Sequence, residues 1–352
     1  MKGLVCNNGK IEVVERPKPT IQEPTDAVVR MLHTSICGTD LHIIKGDIQT
    51  AESGVVLGHE GVGVVEALGS TVQGLQVGDR VVISCMTSCG SCRYCQRGIP
   101  AHCESGGWIL GNHLDGTQAE YVRVPHATRS LHRLDSSIDA RDAVCLSDAL
   151  PTGYECGVLS SDVHSAGSVV IVGAGPVGIA ALLTARLKNP EMIVMVDLDD
   201  TRLEKARELG AHYTINSGAP DAKKQLLDLT KNEGFDSVIE AVGISATFQL
   251  CQELVAVGGR IANMGVHGKK VDLHLEKLWD RNISIHMSLV NAISIPSLLQ
   301  QVKEGKLDVN SLVTHHYSFD EATTAYATFG AASTHQALKC ILLGILIHLR
   351  ST

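Results

Sequence analysis

Cys89, Cys92, Cys95 and Cys103 follow the spacing C-x2-C-x2-C-x7-C within the stretch CMTSCGSCRYCQRGIPAHCE. Thiolates at such short intervals can converge on one ion. Four of them in tetrahedral array form a closed shell with no position left for substrate, which suits a structural zinc. An iron–sulfur cluster uses similar spacing, but nothing else in the chain points to electron transfer, so zinc ranks first. A disulfide framework fits poorly, because the chain has 11 cysteines, an odd number. Metal would also tie down a loop with little apolar core of its own. Cys85 lies just outside the pattern and reads as a packing residue.

Two shorter stretches could do chemistry. SICGTDLH offers Cys37, Thr39, Asp40 and His42, and LGHEGVG offers His59 and Glu60. A thiolate and an imidazole are natural zinc ligands, and a catalytic zinc keeps one position open. Taken alone, Cys37 reads as a buried thiol, His59 as a satisfied loop histidine, Thr39 as a loop hydroxyl and His42 as a surface histidine. Their coincidence with the cysteine cluster and with a dinucleotide loop in one chain gives them more weight. That loop is VVIVGAGPVG, with Gly173, Gly175 and Gly178 spaced G-x-G-x-x-G around Pro176 and Val177. Gly173 allows the tight turn, Gly175 lets the backbone approach a pyrophosphate, and Gly178 lets helix and strand pack closely. The helix N-terminus then faces the anion. Asp197 ends the next strand. A carboxylate there accepts hydrogen bonds from ribose hydroxyls and repels a 2′-phosphate, which predicts NAD over NADP. Arg202, five residues on, competes with that preference, but Asp197 dominates.

These residues need elements to hold them. The 352 residues suit two domains. Up to about residue 150, DAVVRMLH, GVGVVEALG and DRVVIS read as strands with glycine turns between them, and no long helical period appears. A mostly β domain is expected over residues 1–150, with the cysteine lobe at about 85–105. From residue 151 to 290, apolar strands alternate with helices. SVVIV, MIVMVD, HYTIN, FDSVIEAVG, GGRIANMGV and ISIHMSL are the expected strands, which predicts a doubly wound parallel sheet. In DDTRLEKARELGA, Leu203, Ala206 and Leu209 share a helical face and Gly210 fits just past its end. Residues 291–352 mix the helix IPSLLQQVKEGKL with strands and are expected to return to the first domain. The apolar run Cys340–Ile347 is too short for a membrane span and reads as ending in a buried strand. The tail HLRST has no functional reading.

Composition narrows the class. The net charge of −8 leaves no basic field for nucleic acid. The start, MKGLVCNNGK, lacks the apolar run of a signal peptide. A cytoplasmic protein without nucleic-acid or membrane partners is expected.

The motifs CGTDLH, GHEGVGVV, the four-cysteine lobe, SDALPTGYE and GAGPVG together resemble the zinc-dependent alcohol dehydrogenases of the medium-chain dehydrogenase/reductase superfamily, over nearly the whole chain. The resemblance implies an α/β protein with a GroES-like, mostly β catalytic domain, a Rossmann NAD-binding domain, and the active site in the cleft. It implies two zinc ions per chain. Cys37, His59 and Asp148 match the catalytic ligands; many members have Cys where Asp148 stands, and some branches use Asp. Cys89, Cys92, Cys95 and Cys103 match the structural site. Glu60 matches a residue that binds zinc transiently or sits behind it, and Asp40 one that orients the ligand histidine. The implied reaction is reversible hydride transfer between a primary, secondary or aryl alcohol and NAD(H). The proton leaves through Thr39, the cofactor ribose and then His42. Thr152, Val242 and Val266 join the loop residues as cofactor contacts. Trp108 falls where relatives line the substrate cleft, although packing of the lobe explains it equally well. Gly38 departs from members that place a basic residue after the first ligand, so phosphate binding must rest on the helix N-terminus. Members are dimers or tetramers; a tetramer is favoured here, with strand pairing through ISIHMSL. Polyol, amino-alcohol and formaldehyde dehydrogenases share these motifs. A catalytically silent NAD(H) sensor is a reading of another class, against which the complete relay argues. A zinc-ribbon nucleic-acid module fits the cysteines but not the charge.

Overall fold

The computed structural model describes residues 1–7, 9–48 and 50–343. The stretch 344–347 of the apolar run and the tail HLRST lie outside the described residues. The first strands are β1 (Lys2–Asn7), β2 (Lys10–Glu15), β3 (Ala27–Ser35), β4 (Gly61–Leu68), β5 (Arg80–Ile83), β6 (Tyr121–Val124) and β7 (Leu131–Arg133). Then come β8 (Ser168–Val172), β9 (Met192–Asp197), β10 (Tyr213–Asn216), β11 (Phe235–Glu240), β12 (Val255–Asn263) and β13 (Ser284–Met287). β14 (Val313–Ser318) and β15 (Lys339–Leu343) follow. The chain divides into two compact units: residues 1–148, 291–303 and 312–352, and residues 149–290 with 304–311. The expectation had kept 291–352 together. The segment 304–311 instead groups with the second unit; its buried Leu307 and Val309 are masked in the sequence by polar neighbours.

In the first unit a mixed sheet runs β14-β15-β3-β4-β5-β7, with β6 also pairing β3. β3 alternates between faces only weakly, because its residues pack on both sides. Val29, Met31, Val65, Val81, Ile83 and Val122 form one core patch. Leu4, Ile36, Leu57, Phe319, Tyr326 and Leu342 form another. Several helices accompany these strands, among them α1 (Gly38–Lys45) after β3. Asp40 fixes its start: its Oδ2 accepts the Cys37 N–H at 2.9 Å. Gly46, with φ +77°, ends it in the left-handed conformation glycine favours.

The second unit is a six-stranded sheet in the order β10-β9-β8-β11-β12-β13. Its strand pairs are all parallel. This is the doubly wound order, with the switch point between β8 and β11. Strands covered on both faces read as unbroken apolar runs, and β8 and β9 do so. Helix α2 (Pro176–Ala185) follows β8 and is buried almost all round. Helix α3 (Asp200–Glu208) follows β9; Asp199 caps it, accepting the Thr201 and Arg202 N–H groups, and Leu203 and Ala206 face inward. Helix α4 (Ser245–Leu254) runs straight into β12. Among the described residues no helix is long and apolar enough to cross a membrane.

Candidate active site

In the first unit, one ligand atom from each of Cys37, His59, Glu60 and Asp148 lies within 4.8 Å of all the others. Cys37 caps α1. His59 and Glu60 lead into β4. The Glu60 carbonyl accepts the Thr34 and Thr117 hydroxyls at 2.7 and 2.8 Å, which fixes this corner. Asp148 is brought in by its neighbour Ser147. The Ser147 hydroxyl donates to the Gly61 carbonyl and accepts the Gly61 N–H, both at 3.0 Å, riveting 147–148 to the start of β4.

Cys37 Sγ lies 3.7 Å from Asp148 Oδ2, and His59 Nε2 lies 3.5 Å from the same oxygen. Zinc bonds of ordinary length in tetrahedral array put such donors roughly 3.3–3.8 Å apart, so the set fits zinc. Electrostatics agree. Burial works against a charged His59, yet the Cys37 sulfur and Asp148 raise its pKa well above the ordinary value. Burial also opposes a charged Asp148, but His59 holds it far below the usual carboxylate range. The cluster attracts positive charge, which a divalent cation supplies.

Glu60 is engaged from behind. Lys339 on β15, only 2% exposed, places Nζ 2.5 and 2.6 Å from the two carboxylate oxygens. The Ser35 hydroxyl also donates to Glu60 Oε2. Asp40 is buried, and burial raises its pKa. Its Oδ2 serves the Cys37 N–H and Gln118 Nε2, the latter at 3.1 Å, while Oδ1 is buried without a partner. Its bonds therefore position the thiol ligand through the helix start. Thr39 Oγ1 lies 3.6 Å from Cys37 Sγ. Three residues on, and so on the same helix face, His42 is 39% exposed, with Nδ1 2.8 Å from Asp47 Oδ2. Trp108 packs edge-on against His59 at 6.1 Å, its indole N–H buried without a partner.

The four lobe cysteines also converge. Cys89 and Cys95 sulfurs are 4.0 Å apart and those of Cys92 and Cys103 3.9 Å. Four sulfurs round a zinc stand roughly 3.8 Å apart. The Ser91 and Cys92 N–H groups donate to Cys89 Sγ at 3.4 and 3.3 Å. Burial opposes the thiolate, but these donors bring the Cys89 pKa down to about 5. Backbone donors lower the Cys92 pKa as well, whereas burial and the neighbouring sulfurs push Cys95 up to about 12, so without a cation the four sulfurs do not share one charge state.

In the second unit, Gly173 turns at φ +109°. A Cβ on Gly178 would collide with the Gly173 carbonyl oxygen, whereas the space beside Gly175 is open. Pro176 and Val177 open α2. Asp197 Oδ2 accepts the Ala174 N–H at 2.6 Å, so this carboxylate is braced against the glycine loop. Arg202 is half-buried on α3, its Nε without a partner. Val242 is 44% and Val266 69% exposed. A Cβ on Gly173 would come within 2.6 Å of Val242 Cγ2, so Val242 borders the loop. Thr152 ends the helix Ala149–Thr152, ahead of a π-helical stretch, Gly153–Leu159.

Sequence reasoning passed over Ser147 and Lys339. A lone charge in the apolar strand KCILL was the available signal for Lys339.

The alcohol dehydrogenase GroES-like domain family matches residues 23–136, and the zinc-binding dehydrogenase family matches residues 176–304. Zinc-type alcohol dehydrogenase B of Aspergillus flavus is 34% identical over 336 residues, covering 94% of this chain and 78% of that protein. The apo structure of zinc dependent alcohol dehydrogenase 2 from Streptococcus pneumonia is 47% identical, with a TM-score of 0.93, covering 98% of this chain and 99% of that one. A short chain alcohol dehydrogenase of Escherichia coli CFT073, complexed with the cofactor NADH, is 26% identical, with a TM-score of 0.89 over 97% and 99% of the two chains.

Proposed function

The chain belongs to the zinc-dependent alcohol dehydrogenases of the medium-chain superfamily, and from that premise we propose that it transfers hydride reversibly between a small alcohol and NAD(H). The observation that carries this reading is the convergence of Cys37, His59 and Asp148 beside a Glu60 already engaged by Lys339. Three donors hold a zinc and leave a position for substrate. Zinc there supplies a Lewis acid that lowers the pKa of the alcohol, and NAD supplies the hydride acceptor.

The protein's own groups do the rest. The Thr39 hydroxyl would accept the substrate proton while giving up its own toward the cofactor ribose, and His42, open to water on the same helix face, would release a proton to solvent. Trp108 limits the space beside His59 and favours apolar or aryl substrates. Asp197 receives the adenosine ribose and disfavours a 2′-phosphate. The four lobe cysteines hold the structural zinc. None of the cysteines is paired in a disulfide among the described residues, which fits a reducing, cytoplasmic setting. β13 ends its sheet as an edge strand, with Met287 at 73% exposure and Trp279 at 78% nearby. Such an edge invites pairing with a second copy, which supports a homo-oligomer; the preference for a tetramer over a dimer rests on the family resemblance alone.

The test is NADH formation across primary, secondary and aryl alcohols, on protein assayed for zinc. Turnover with NAD, little with NADP, and two zinc ions per chain are expected. Two zinc ions with no turnover on any alcohol would overturn the proposed activity.

A further inference from the structure

We propose that Glu240 is a positioning residue for the nicotinamide half of the cofactor, fastening together the two loops that follow β11 and β12. The proposal rests on the NAD(H) reading above. Its starting point is the sheet order. A dinucleotide lies across the carboxyl ends of the strands at the switch point, here between β8 and β11. The β8 loop takes the pyrophosphate, and Asp197 lies on the β9 side. The other mononucleotide must therefore lie over the ends of β11 and β12, where Val242 and Val266 stand exposed.

Glu240 is the last residue of β11 and is fully buried. Its Oε1 accepts the Val242 N–H at 3.0 Å, the Gly243 N–H at 2.9 Å and the Thr247 hydroxyl at 2.7 Å. Its backbone carbonyl accepts the Met264 and Gly265 N–H groups at 2.8 and 3.2 Å. One residue thus holds the loop after its own strand through its side chain and the loop after the next strand through its main chain. Its Oε2, buried without a hydrogen bond, faces His267 Nε2 at 3.6 Å. His267 Nε2 is 2.8 Å from Asn263 Oδ1, and Asn263 Nδ2 donates to the Gly265 carbonyl at 2.9 Å. The loops have no slack between them: a Cβ on Gly243 would strike the Val266 carbonyl, and one on Gly265 would strike the Gly243 nitrogen and Glu240 Oε2. A shift of Val242 is therefore passed to Val266.

A buried carboxylate could be present only to satisfy the start of α4, since Thr247 lies on that helix. The two roles separate by ligand. ADP-ribose reaches the glycine loop and Asp197 but has no nicotinamide. The experiment measures NADH and ADP-ribose binding to the zinc-loaded enzyme, wild type against Glu240→Ala and Glu240→Gln, with zinc content and melting temperature alongside. Loss of bonds to a charged acceptor is expected to weaken NADH by roughly ten- to a hundredfold in Glu240→Ala. The neutral acceptor in Glu240→Gln should recover part of that loss, and ADP-ribose should change by less than about twofold, within the scatter of independent sites. Parallel weakening of both ligands, or unchanged NADH binding, would overturn the proposal. If Glu240→Ala does not fold, the same comparison on Glu240→Gln decides. A wild-type enzyme that binds neither ligand would overturn the cofactor reading itself.

Discussion

Replacing Lys339 by Met tests how the candidate metal centre is balanced. Glu60 is fully buried and Lys339 is 2% exposed, so water screens neither charge. Nζ contacts both carboxylate oxygens, at 2.5 and 2.6 Å. Removing one member of such a pair leaves an uncompensated buried charge, at a cost of about 3–5 kcal/mol. Met keeps the length of the side chain, so the loss is electrostatic and creates little cavity. Removing both charges, in Lys339→Met/Glu60→Gln, leaves no buried ion to desolvate and should recover at least half of that cost. The chain has two tryptophans. Trp108 packs on His59 in the first unit, while Trp279 in the second is 78% exposed and responds little. Urea unfolding of the zinc-loaded enzyme followed by tryptophan emission therefore reports on the unit that holds the pair. A single variant within about 1 kcal/mol of wild type, or a double variant as unstable as the summed singles, would refute the reasoning.

Cys95→Ser should lower zinc from two ions to one per chain and make residues 89–103 a site of proteolysis; Cys37→Ser should lose the other ion and turnover while the lobe stays intact. The two losses are read by elemental analysis and limited digestion. Burial lowers the pKa of His132 from 6.5 to about 4, and its Nε2 has no partner. The unfolded chain therefore takes up a proton first: the stability is complete above about pH 6.5 and falls between 6.5 and 4, by on the order of 3 kcal/mol. His132→Leu should flatten that slope in unfolding curves measured across this range. Asp197→Ala removes both the ribose acceptor and the brace on the Ala174 N–H, so the KM for NAD should rise about tenfold or more and the preference over NADP should shrink.

The second unit was legible because its physics is local. Strands buried on both faces are unbroken apolar runs, and glycines sit where helix and strand must touch. The start of β12 was read late, because Leu254 passes into Val255 with no turn residue between helix and strand. The β1–β2 hairpin was missed because most of β2 faces outward and shows little apolar pattern. Helix α1 spans only eight residues, too few for a period to show. The candidate ligand residues stand in the motifs that carry the family resemblance, and the fold brings them together. Lys339 had only its lone charge in an apolar strand as a signal; a lysine there reads as surface, and the fold alone buries it against Glu60. Glu240 was hidden likewise, since its partners are backbone groups of loops that sequence spacing does not bring together.

The partners Glu60 and Lys339 stand 279 positions apart, with the whole contiguous stretch 149–290 between them. β15, which carries Lys339, lies inside its sheet between β14 and β3. During synthesis the second unit can therefore fold while the first still lacks an interior strand and the cation that neutralises its buried carboxylate. Until β15 emerges, Glu60 beside Cys37, His59 and Asp148 has no lysine to pair with. Order of birth along the chain thus makes the metal-binding corner the last part of the molecule to mature, and ties its completion to the arrival of one late lysine.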